Sequence, residues 1–237
     1  MNAAIFGRTM AAPDIRIGGL TPLTSIDFPG ELAAVIFCQG CPWRCSYCHN
    51  PELRSAEGGE AWCWDRVWRF FQGRQGLLDG VVFSGGEPTL QQGLAEAAQR
   101  LKNLGFLIGL HSAGCFPSRL RRLLPLLDWV GLDLKAPAGD YDRVTQVPGS
   151  GARAWESARL LLASGVKHEI RVTVHPHLLT RAQVQDTLDQ ARRLGAKHLV
   201  VQACHPEHNP DTAGLPPVDL ASLRSLAKDF PGLAVRE

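Results

Sequence analysis

The stretch "AAVIFCQGCPWRCSYCHN", residues 33–50, joins a short apolar run to a loop that is rich in cysteine. The run "AAVIFC" carries no charge and is mostly aliphatic, which is typical of a strand buried on both faces of a parallel sheet. Cys41, Cys45 and Cys48 follow it at the spacing C-x3-C-x2-C. Loops at the carboxyl ends of such strands carry the chemistry of α/β folds, so these thiols are candidate ligands of one inorganic centre.

Two kinds of centre fit these cysteines, and thiols without metal are a third interpretation. Structural zinc takes four protein ligands, so zinc would need Cys38 or His49 in addition. Three thiolates alone suit a four-iron cluster that leaves one iron open to an outside ligand. The spacing favours this cluster over zinc.

The whole chain has the composition of a globular protein, with 237 residues, 45% hydrophobic and 20% charged. Its formal net charge of +2 gives no reason to propose a nucleic-acid partner. The N-terminal residues lack the apolar core of a secretory signal, and no apolar run approaches the roughly 20 residues that cross a bilayer. We therefore expect a cytoplasmic protein without a membrane partner, in a reducing compartment where clustered cysteines bind metal or act in catalysis.

Short apolar runs that alternate with helical patterns predict an α/β fold. The runs are 33–38, 81–84, 106–112, 129–134, 169–174 and 198–203, and "IRIGGL" (15–20) suits a further strand at an edge. Alternation of this kind predicts right-handed βαβ units, arranged as an open doubly wound sheet or as an incomplete barrel. Periodicity alone does not choose between these two arrangements.

Helices are predicted between the runs. An apolar stripe from Trp64 to Phe71 has helical spacing. Two capping-box patterns begin further helices: Thr89 with Gln92, and Thr180 with Gln183. The segment 136–154 is the longest without clear periodicity, and we interpret it either as a binding surface or as a connector.

A second motif, "FSGGEPTLQ" (83–91), begins where the second predicted strand ends. Gly85 and Gly86 allow the backbone to approach a ligand closely, and Glu87 adds a carboxylate at the same edge of the sheet. A GGE triplet is a weak signal by itself. The triplet becomes a strong signal here because it follows the strand next to the cysteine loop, at the same edge of the sheet.

Together, "CPWRCSYC" and "GGEP" resemble the radical S-adenosylmethionine (SAM) superfamily. The longer signature "SIDFPGELAAVIFCQGCPWRCSYCHNPEL" is similar to that of glycyl-radical activating enzymes, above all the anaerobic ribonucleoside-triphosphate reductase activating proteins, and also pyruvate formate-lyase activating enzyme. "GLDLK" (131–135) strengthens the resemblance. It implies an incomplete (βα)6 barrel in a single domain of residues 1–237, with an N-terminal extension at about 15–32, a core at about 33–205 and a C-terminal segment at 206–237.

The resemblance implies that Cys41, Cys45 and Cys48 ligate a [4Fe-4S] cluster whose open iron binds SAM. Tyr47 matches an aromatic position next to the adenine, although it could simply pack the loop. Gly85, Gly86 and Glu87 would meet the SAM amino group. The carboxylate, ribose and adenosyl parts of SAM are assigned to Ser112, Asp133, Lys135, Arg171 and His205, with a structural Asp133–Lys135 salt bridge as the alternative.

The sequence departs from these activating enzymes at one place, where they commonly read "TNG" and this chain reads "HSAG" (111–114). His111 stands where an acidic residue contributes to a monovalent cation site in pyruvate formate-lyase activating enzyme. This departure argues against a cation site of that kind. Other Cys and His residues are expected to lie outside the site: Cys38 at a strand end, Cys63, Cys115 and Cys204 as small buried hydrophobes, and His175, His177 and His208 in solvated loops.

Three functions follow from these observations. The first is an enzyme that cleaves SAM reductively and takes a hydrogen atom from a glycine of a glycyl-radical enzyme, with anaerobic ribonucleoside-triphosphate reductase as the expected partner and flavodoxin or ferredoxin as electron donor. The second is a radical SAM synthase that acts on a small molecule. The third, a non-enzymatic zinc-binding module, leaves "GGEP" and "GLDLK" unexplained. The first is our prediction.

Overall fold

The structure is a computed structural model that describes residues 11–57, 62–175, 177–205, 212, 214–216 and 218–236. Its centre is a sheet whose strands follow one another in space in chain order. The strands are β1 (Ile17–Thr24), β2 (Ala33–Cys38), β3 (Gly80–Gly85), β4 (Leu107–Ser112), β5 (Trp129–Asp133), β6 (Lys167–Val174), β7 (Leu199–Ala203) and β8 (Leu233–Arg236).

The strand order selects the incomplete barrel over the doubly wound sheet. Strand β1 pairs antiparallel with β2, and every later neighbouring pair is parallel. A doubly wound sheet would reverse its strand order at a switch point, whereas this sheet runs from β1 at one edge to β8 at the other. The predicted parallel α/β fold is therefore confirmed, and β1 is the expected edge strand.

Helices cover the outer face of the sheet and form the main core with it. They are α1 (Trp64–Gln72), α2 (Leu94–Asn103), α3 (Pro117–Leu123), α4 (Tyr141–Thr145), α5 (Ser150–Ser164), α6 (Arg181–Arg193) and α7 (Leu220–Asp229). Within the described residues, no helix is long and apolar enough to span a bilayer.

The three helices predicted from the sequence are present, but the start of one of them and the interpretation of the segment 136–154 are wrong. Helix α1 contains the predicted apolar stripe, and α6 begins with the predicted capping box at Thr180. The helix predicted after Thr89 is also present, as α2, but its predicted capping box is wrong, because Thr89 lies in a 3₁₀ turn and α2 begins only at Leu94. The segment 136–154 is not a loop, since it contains α4 and the start of α5.

The inner face of the sheet holds a second, smaller core. Phe28 follows β1, turns back into the barrel and stacks on Trp129 at a ring distance of 5.8 Å. It packs with inward-facing aliphatic residues such as Val35 and Val82. Because this core fills the amino-terminal half of the barrel, open space is left towards the carboxyl ends of the strands.

Two expectations for single residues are wrong. Cys63 is exposed, because it precedes α1 at the surface. His175 is buried and its Nε2 donates to the carbonyl oxygen of Pro216 at 3.0 Å, so it is not a solvated loop residue. Cys38, Cys115 and Cys204 are buried as expected. The expectation for His208 lies outside the described residues.

Candidate active site

A cavity of about 290 Å³ opens at the carboxyl ends of the strands. Ten of the twelve predicted site residues line it: Cys41, Cys45, Tyr47, Cys48, Gly85, Gly86, Ser112, Asp133, Lys135 and Arg171. Glu87 and His205 lie outside the lining. The sequence motifs, which are spread over more than a hundred residues, therefore converge on one space.

The cysteine loop is held in place by backbone hydrogen bonds to three other parts of the chain. The N–H of Gln39 donates to Arg16 O at 2.9 Å, and the N–H of Cys41 donates to Arg54 O at 3.0 Å. Between the cysteines, the N–H of Arg44 donates to Thr145 O at the end of α4, also at 3.0 Å. These contacts fix the loop from both sides without using any thiol.

The three thiols are free, and their surroundings differ. Burial raises the pKa of Cys45 to about 11, against the opposing charge of Lys135. A side-chain hydrogen bond with Cys115 lowers the pKa of Cys41. Among the residues that the structure describes, no group of three or more His, Cys, Asp or Glu side chains is arranged to hold a single metal ion. A cluster differs from a single ion because each thiolate binds a different iron.

Gly85 and Gly86 are required by the packing of two chain segments. Gly85 has φ +106, and a Cβ there would lie 2.5 Å from Cys38 N. A Cβ on Gly86 would lie 2.4 Å from Gly40 O. The two glycines thus let the end of β3 cross directly against the backbone that leads into the cysteine loop, while they also line the cavity.

Glu87 is fully buried and its carboxylate is surrounded by donors from the protein. Its Oε1 accepts from the Thr89 N–H at 3.0 Å, the Thr89 hydroxyl at 2.6 Å and the Ser112 hydroxyl at 2.8 Å. Its Oε2 accepts from the Ala113 N–H at 3.0 Å. The carboxylate therefore ties the end of β3 to the end of β4. Its contact with the SAM amino group stays a prediction.

Asp133, Lys135 and Arg171 form a charged group on the cavity wall. Arg171 Nε donates to Asp133 Oδ1 at 2.7 Å, and Lys135 Nζ lies 3.9 Å from Asp133 Oδ2. Burial by itself would raise the pKa of Asp133, but Arg171 and Lys135 outweigh it and hold the pKa below its usual range. Two cations share one carboxylate, so the group carries a net positive charge that suits an anionic ligand.

His111 is a neutral residue of the inner wall. Its Nε2 donates to the carbonyl oxygen of Asp27 at 2.9 Å, and its Nδ1 accepts from the Ser84 hydroxyl at 3.3 Å. Burial, followed by the charge of Arg171, lowers the pKa of His111 to about 3. The imidazole therefore serves as a hydrogen-bond bridge between the barrel wall and the loop that follows β1.

His205 lies beside the cysteine loop, outside the cavity lining. Its backbone N–H donates to His49 Nε2 at 3.4 Å, and the two rings lie 5.8 Å apart. His49 itself lines the cavity. The assignment of His205 to the adenosyl part of SAM stays a prediction.

Ten further residues line the cavity and are not among the predicted SAM or cluster contacts, although His49 was considered as a zinc ligand and His111 in relation to a cation site. They are Asp27, Phe37, Trp43, His49, Asn50, Ser84, His111, Ala113, Thr173 and Gln202. For Ser84, His111, Thr173 and Gln202 a signal existed, because a polar residue inside an apolar strand marks an inward position near its carboxyl end. Asp27 gave no such signal, since it lies in a loop that folds back into the barrel.

Two buried polar groups in the lining test whether a cofactor fits. Neither Trp43 Nε1 nor the Tyr47 hydroxyl has a hydrogen-bond partner among the described residues. Both side chains are almost fully buried, and Lys135 Nζ lies 5.3 Å from the centre of the Tyr47 ring. Buried polar groups normally have partners, so orphaned donors beside three free thiols fit a bound group with acceptor atoms.

Comparisons with known proteins agree with this site. The profile of the Radical SAM superfamily matches residues 35–191. The chain is 29% identical over 180 residues to a Methanocaldococcus jannaschii protein named "Putative glycyl-radical enzyme activating enzyme", covering 72% of each chain. It is 31% identical over 169 residues to the pyruvate formate-lyase-activating enzyme of Clostridium pasteurianum, covering 69% of this chain and 70% of the relative. It is also 32% identical to the PqqA peptide cyclase of Methylobacterium nodulans, over 68% of this chain and 43% of the relative.

Solved structures share the fold. Streptococcus suis SuiB bound to S-adenosylmethionine superposes with a TM-score of 0.64 at 18% identity, over 84% of this chain and 48% of SuiB. A domain of pyruvate-formate lyase-activating enzyme from Bacteroides vulgatus superposes with a TM-score of 0.55 at 14% identity, over 67% of this chain and 98% of that domain.

Proposed function

The chain belongs to the radical SAM superfamily, and we propose that it activates a glycyl-radical enzyme by taking a hydrogen atom from a glycine of that partner. As a member of the superfamily it is an enzyme that uses a [4Fe-4S] cluster and SAM. Two relatives that are named as activating enzymes align over more than two thirds of their length. Their similarity supports the reaction class.

Different residues of the cavity would bind the cluster and SAM. Cys41, Cys45 and Cys48 would hold the cluster, and the charged group of Asp133, Lys135 and Arg171 would orient the SAM carboxylate. When bound, the cluster and SAM supply a one-electron cleavage that yields the 5′-deoxyadenosyl radical. The buried wall excludes water from the reacting carbon, which protects a reactive species from side reactions.

The observation that carries the proposal is the size of this cavity together with its cysteine lining. At about 290 Å³ it lies at the lower end of the range for small-ligand sites. The cluster and SAM would occupy this space, so a further substrate would have to reach the reacting carbon through the opening. A protein loop that presents a glycine, which has no side chain, meets this requirement. A second small molecule inside the cavity does not.

We further propose anaerobic ribonucleoside-triphosphate reductase as the partner and flavodoxin or ferredoxin as the electron donor. The support for this partner is the signature "SIDFPGELAAVIFCQGCPWRCSYCHNPEL". The similarity to a PqqA peptide cyclase supports a second candidate, in which the chain modifies a peptide by radical SAM chemistry. Both candidates use the same cavity, and they differ in which carbon loses hydrogen.

The test is anaerobic reconstitution with iron and sulfide, followed by reduction and incubation with SAM and the candidate reductase. We expect 5′-deoxyadenosine and an electron paramagnetic resonance (EPR) doublet of a glycyl radical. With α-deuterated glycine in the partner, the deuterium should appear in the 5′-deoxyadenosine. Cys45→Ala should abolish both products, and the exposed Cys63→Ala is the matched control that should leave both unchanged.

Other results would redirect the assignment. Deoxyadenosine without a glycyl radical would favour the peptide or small-molecule reaction over activation. Bound zinc, without the broad visible absorption of a cluster after reconstitution, would favour the metal-binding module and contradict the enzyme.

A further inference from the structure

Trp43 lies between two of the three cysteines, in "CPWRC" (41–45), and its side chain is 1% exposed. It lines the cavity together with Cys41 and Cys45. The indole packs edge-to-face on Tyr141 of α4, with ring centres 5.8 Å apart and an angle of 71° between the rings. Its position in the cysteine loop is therefore fixed by an element outside that loop.

The indole Nε1–H of Trp43 is a buried donor without an acceptor among the residues described by the structure. The other orphaned groups include the Tyr47 hydroxyl, also in this lining. Trp155 shows the usual situation, because its Nε1 donates to Ala136 O at 3.2 Å. A buried donor without a partner costs free energy, and in native proteins it calls for an acceptor that the protein itself does not supply.

A group bound by the flanking cysteines would supply an acceptor for this donor. Cys41 and Cys45 each lie two residues from Trp43, so the sulfur atoms of a cluster held by them would be close to the indole. Thiolate and sulfide sulfur atoms accept hydrogen bonds from N–H groups, and such bonds shift the reduction potential of iron–sulfur clusters.

We propose that Trp43 is a positioning residue whose Nε1–H donates a hydrogen bond to a sulfur atom of the cluster. This inference depends on the cluster that the superfamily uses, and it does not depend on which substrate loses hydrogen. The bond favours the more negative, reduced cluster, so it raises the reduction potential and eases the electron transfer that precedes SAM cleavage.

The first test is spectroscopic and uses the unaltered sequence. The protein is labelled with ¹⁵N in the tryptophan indole nitrogen, reconstituted and reduced, and the cluster is examined by pulsed EPR for coupling to ¹⁵N. Of the 6 tryptophans, Trp43 alone is found in the cavity lining as the structure describes it. We expect a ¹⁵N coupling, and its absence would overturn the proposal.

The second test compares Trp43→Phe with Trp64→Phe. Phenylalanine keeps an aromatic ring against Tyr141 and removes the N–H, while Trp64 is another buried tryptophan, on α1, that stacks on Trp68. In an EPR-monitored redox titration, Trp43→Phe should lower the ratio of reduced to oxidised cluster at a fixed potential by about tenfold, a shift of about 59 mV for one electron. Trp64→Phe should titrate like the wild type.

The remaining outcomes also decide the question. An unchanged potential in Trp43→Phe, with weaker SAM binding in equilibrium dialysis, would mean that the indole serves SAM, which overturns the proposal. Should Trp43→Phe fail to assemble the cluster, the ¹⁵N coupling in the wild type decides alone. A wild-type protein that shows the coupling but forms no glycyl radical would contradict the proposed function and leave this inference intact.

Discussion

Replacing Glu87 with glutamine should destabilise the protein even when no cofactor is bound. The Glu87 carboxylate is fully buried and accepts four hydrogen bonds, from Thr89, Ser112 and Ala113. Glutamine has the same shape, but its amide offers only one oxygen. Its NH₂ group would therefore face either the Ala113 N–H or the three donors at Oε1, and a donor would meet a donor in a buried space.

The expected cost is about 4.5–7.5 kcal/mol. A hydrogen bond to a charged group contributes about 1.5–3 kcal/mol and a neutral one about 0.5–1.5 kcal/mol. In the more favourable orientation the amide oxygen takes the place of Oε1. One bond, from Ala113, is then lost outright, and the other three fall to the neutral value. The total is a large part of the roughly 5–15 kcal/mol that stabilises a typical domain.

The assay is urea unfolding of the cofactor-free protein, followed by circular dichroism. Glu87→Gln should unfold at a clearly lower urea concentration than the wild type. Glu96→Gln on the exposed face of α2 is the matched control, and it should change the unfolding free energy by less than about 1 kcal/mol. If Glu87→Gln kept the wild-type midpoint and lost only SAM binding, the carboxylate would serve the ligand alone and our reasoning would be wrong.

Three further substitutions test other parts of the molecule. Phe28→Ala should lower the unfolding free energy by about 3–5 kcal/mol in urea, since it empties the inner core beside Trp129; a loss below 1 kcal/mol would contradict that core. Arg171→Lys removes the Nε bond to Asp133 and should weaken SAM binding by about tenfold in equilibrium dialysis with the reconstituted enzyme; unchanged affinity would argue against this charged group as the carboxylate site. Thr180→Ala removes the capping box of α6, which costs about 1 kcal/mol, so the melting temperature should fall by about 2–4 °C, whereas an unchanged value would show that the cap is dispensable.

The strands could be predicted from the sequence because both of their faces are buried. Short apolar runs such as "AAVIFC", which are rich in β-branched or aromatic residues and alternate with helical patterns, favour strands buried on both faces, and six such runs became β2 to β7. Strand β8 and helix α7 are not among the predicted elements, because no strand or helix is predicted in the C-terminal segment 206–237. Its helix, "LASLRSLAKD", is short and packs by only a few apolar positions.

The site was predictable where it depends on local motifs. The cysteine spacing and the glycine pair in "GGEP" depend on short-range geometry, so their residues meet in the cavity as expected. The sequence could not show whether a polar side chain of the site bonds to the ligand or to other protein groups. Glu87 was expected to face a ligand, yet Thr89 two residues later and Ser112 on the next strand supply donors to it first. Such contacts depend on the register between β3 and β4, which cannot be predicted from the residue pattern of either strand alone.

Glycines inside three strands make room for the side chains that form the floor and wall of the cavity. The glycines are visible in the sequence, but their role is not. A Cβ on Gly80 would lie 2.9 Å from the Phe28 ring, and one on Gly109 would lie 3.2 Å from it. On the next strand, a Cβ on Gly131 would lie 2.9 Å from Cζ of Arg171. Glycine within a strand commonly marks a close approach by another group. Here glycines on three neighbouring strands leave space inside the barrel. Phe28 fills this space at the amino-terminal end, and Arg171 reaches Asp133 at the carboxyl-terminal end. Larger residues at these positions would expel the loop that carries Asp27, and the cavity would lose its floor.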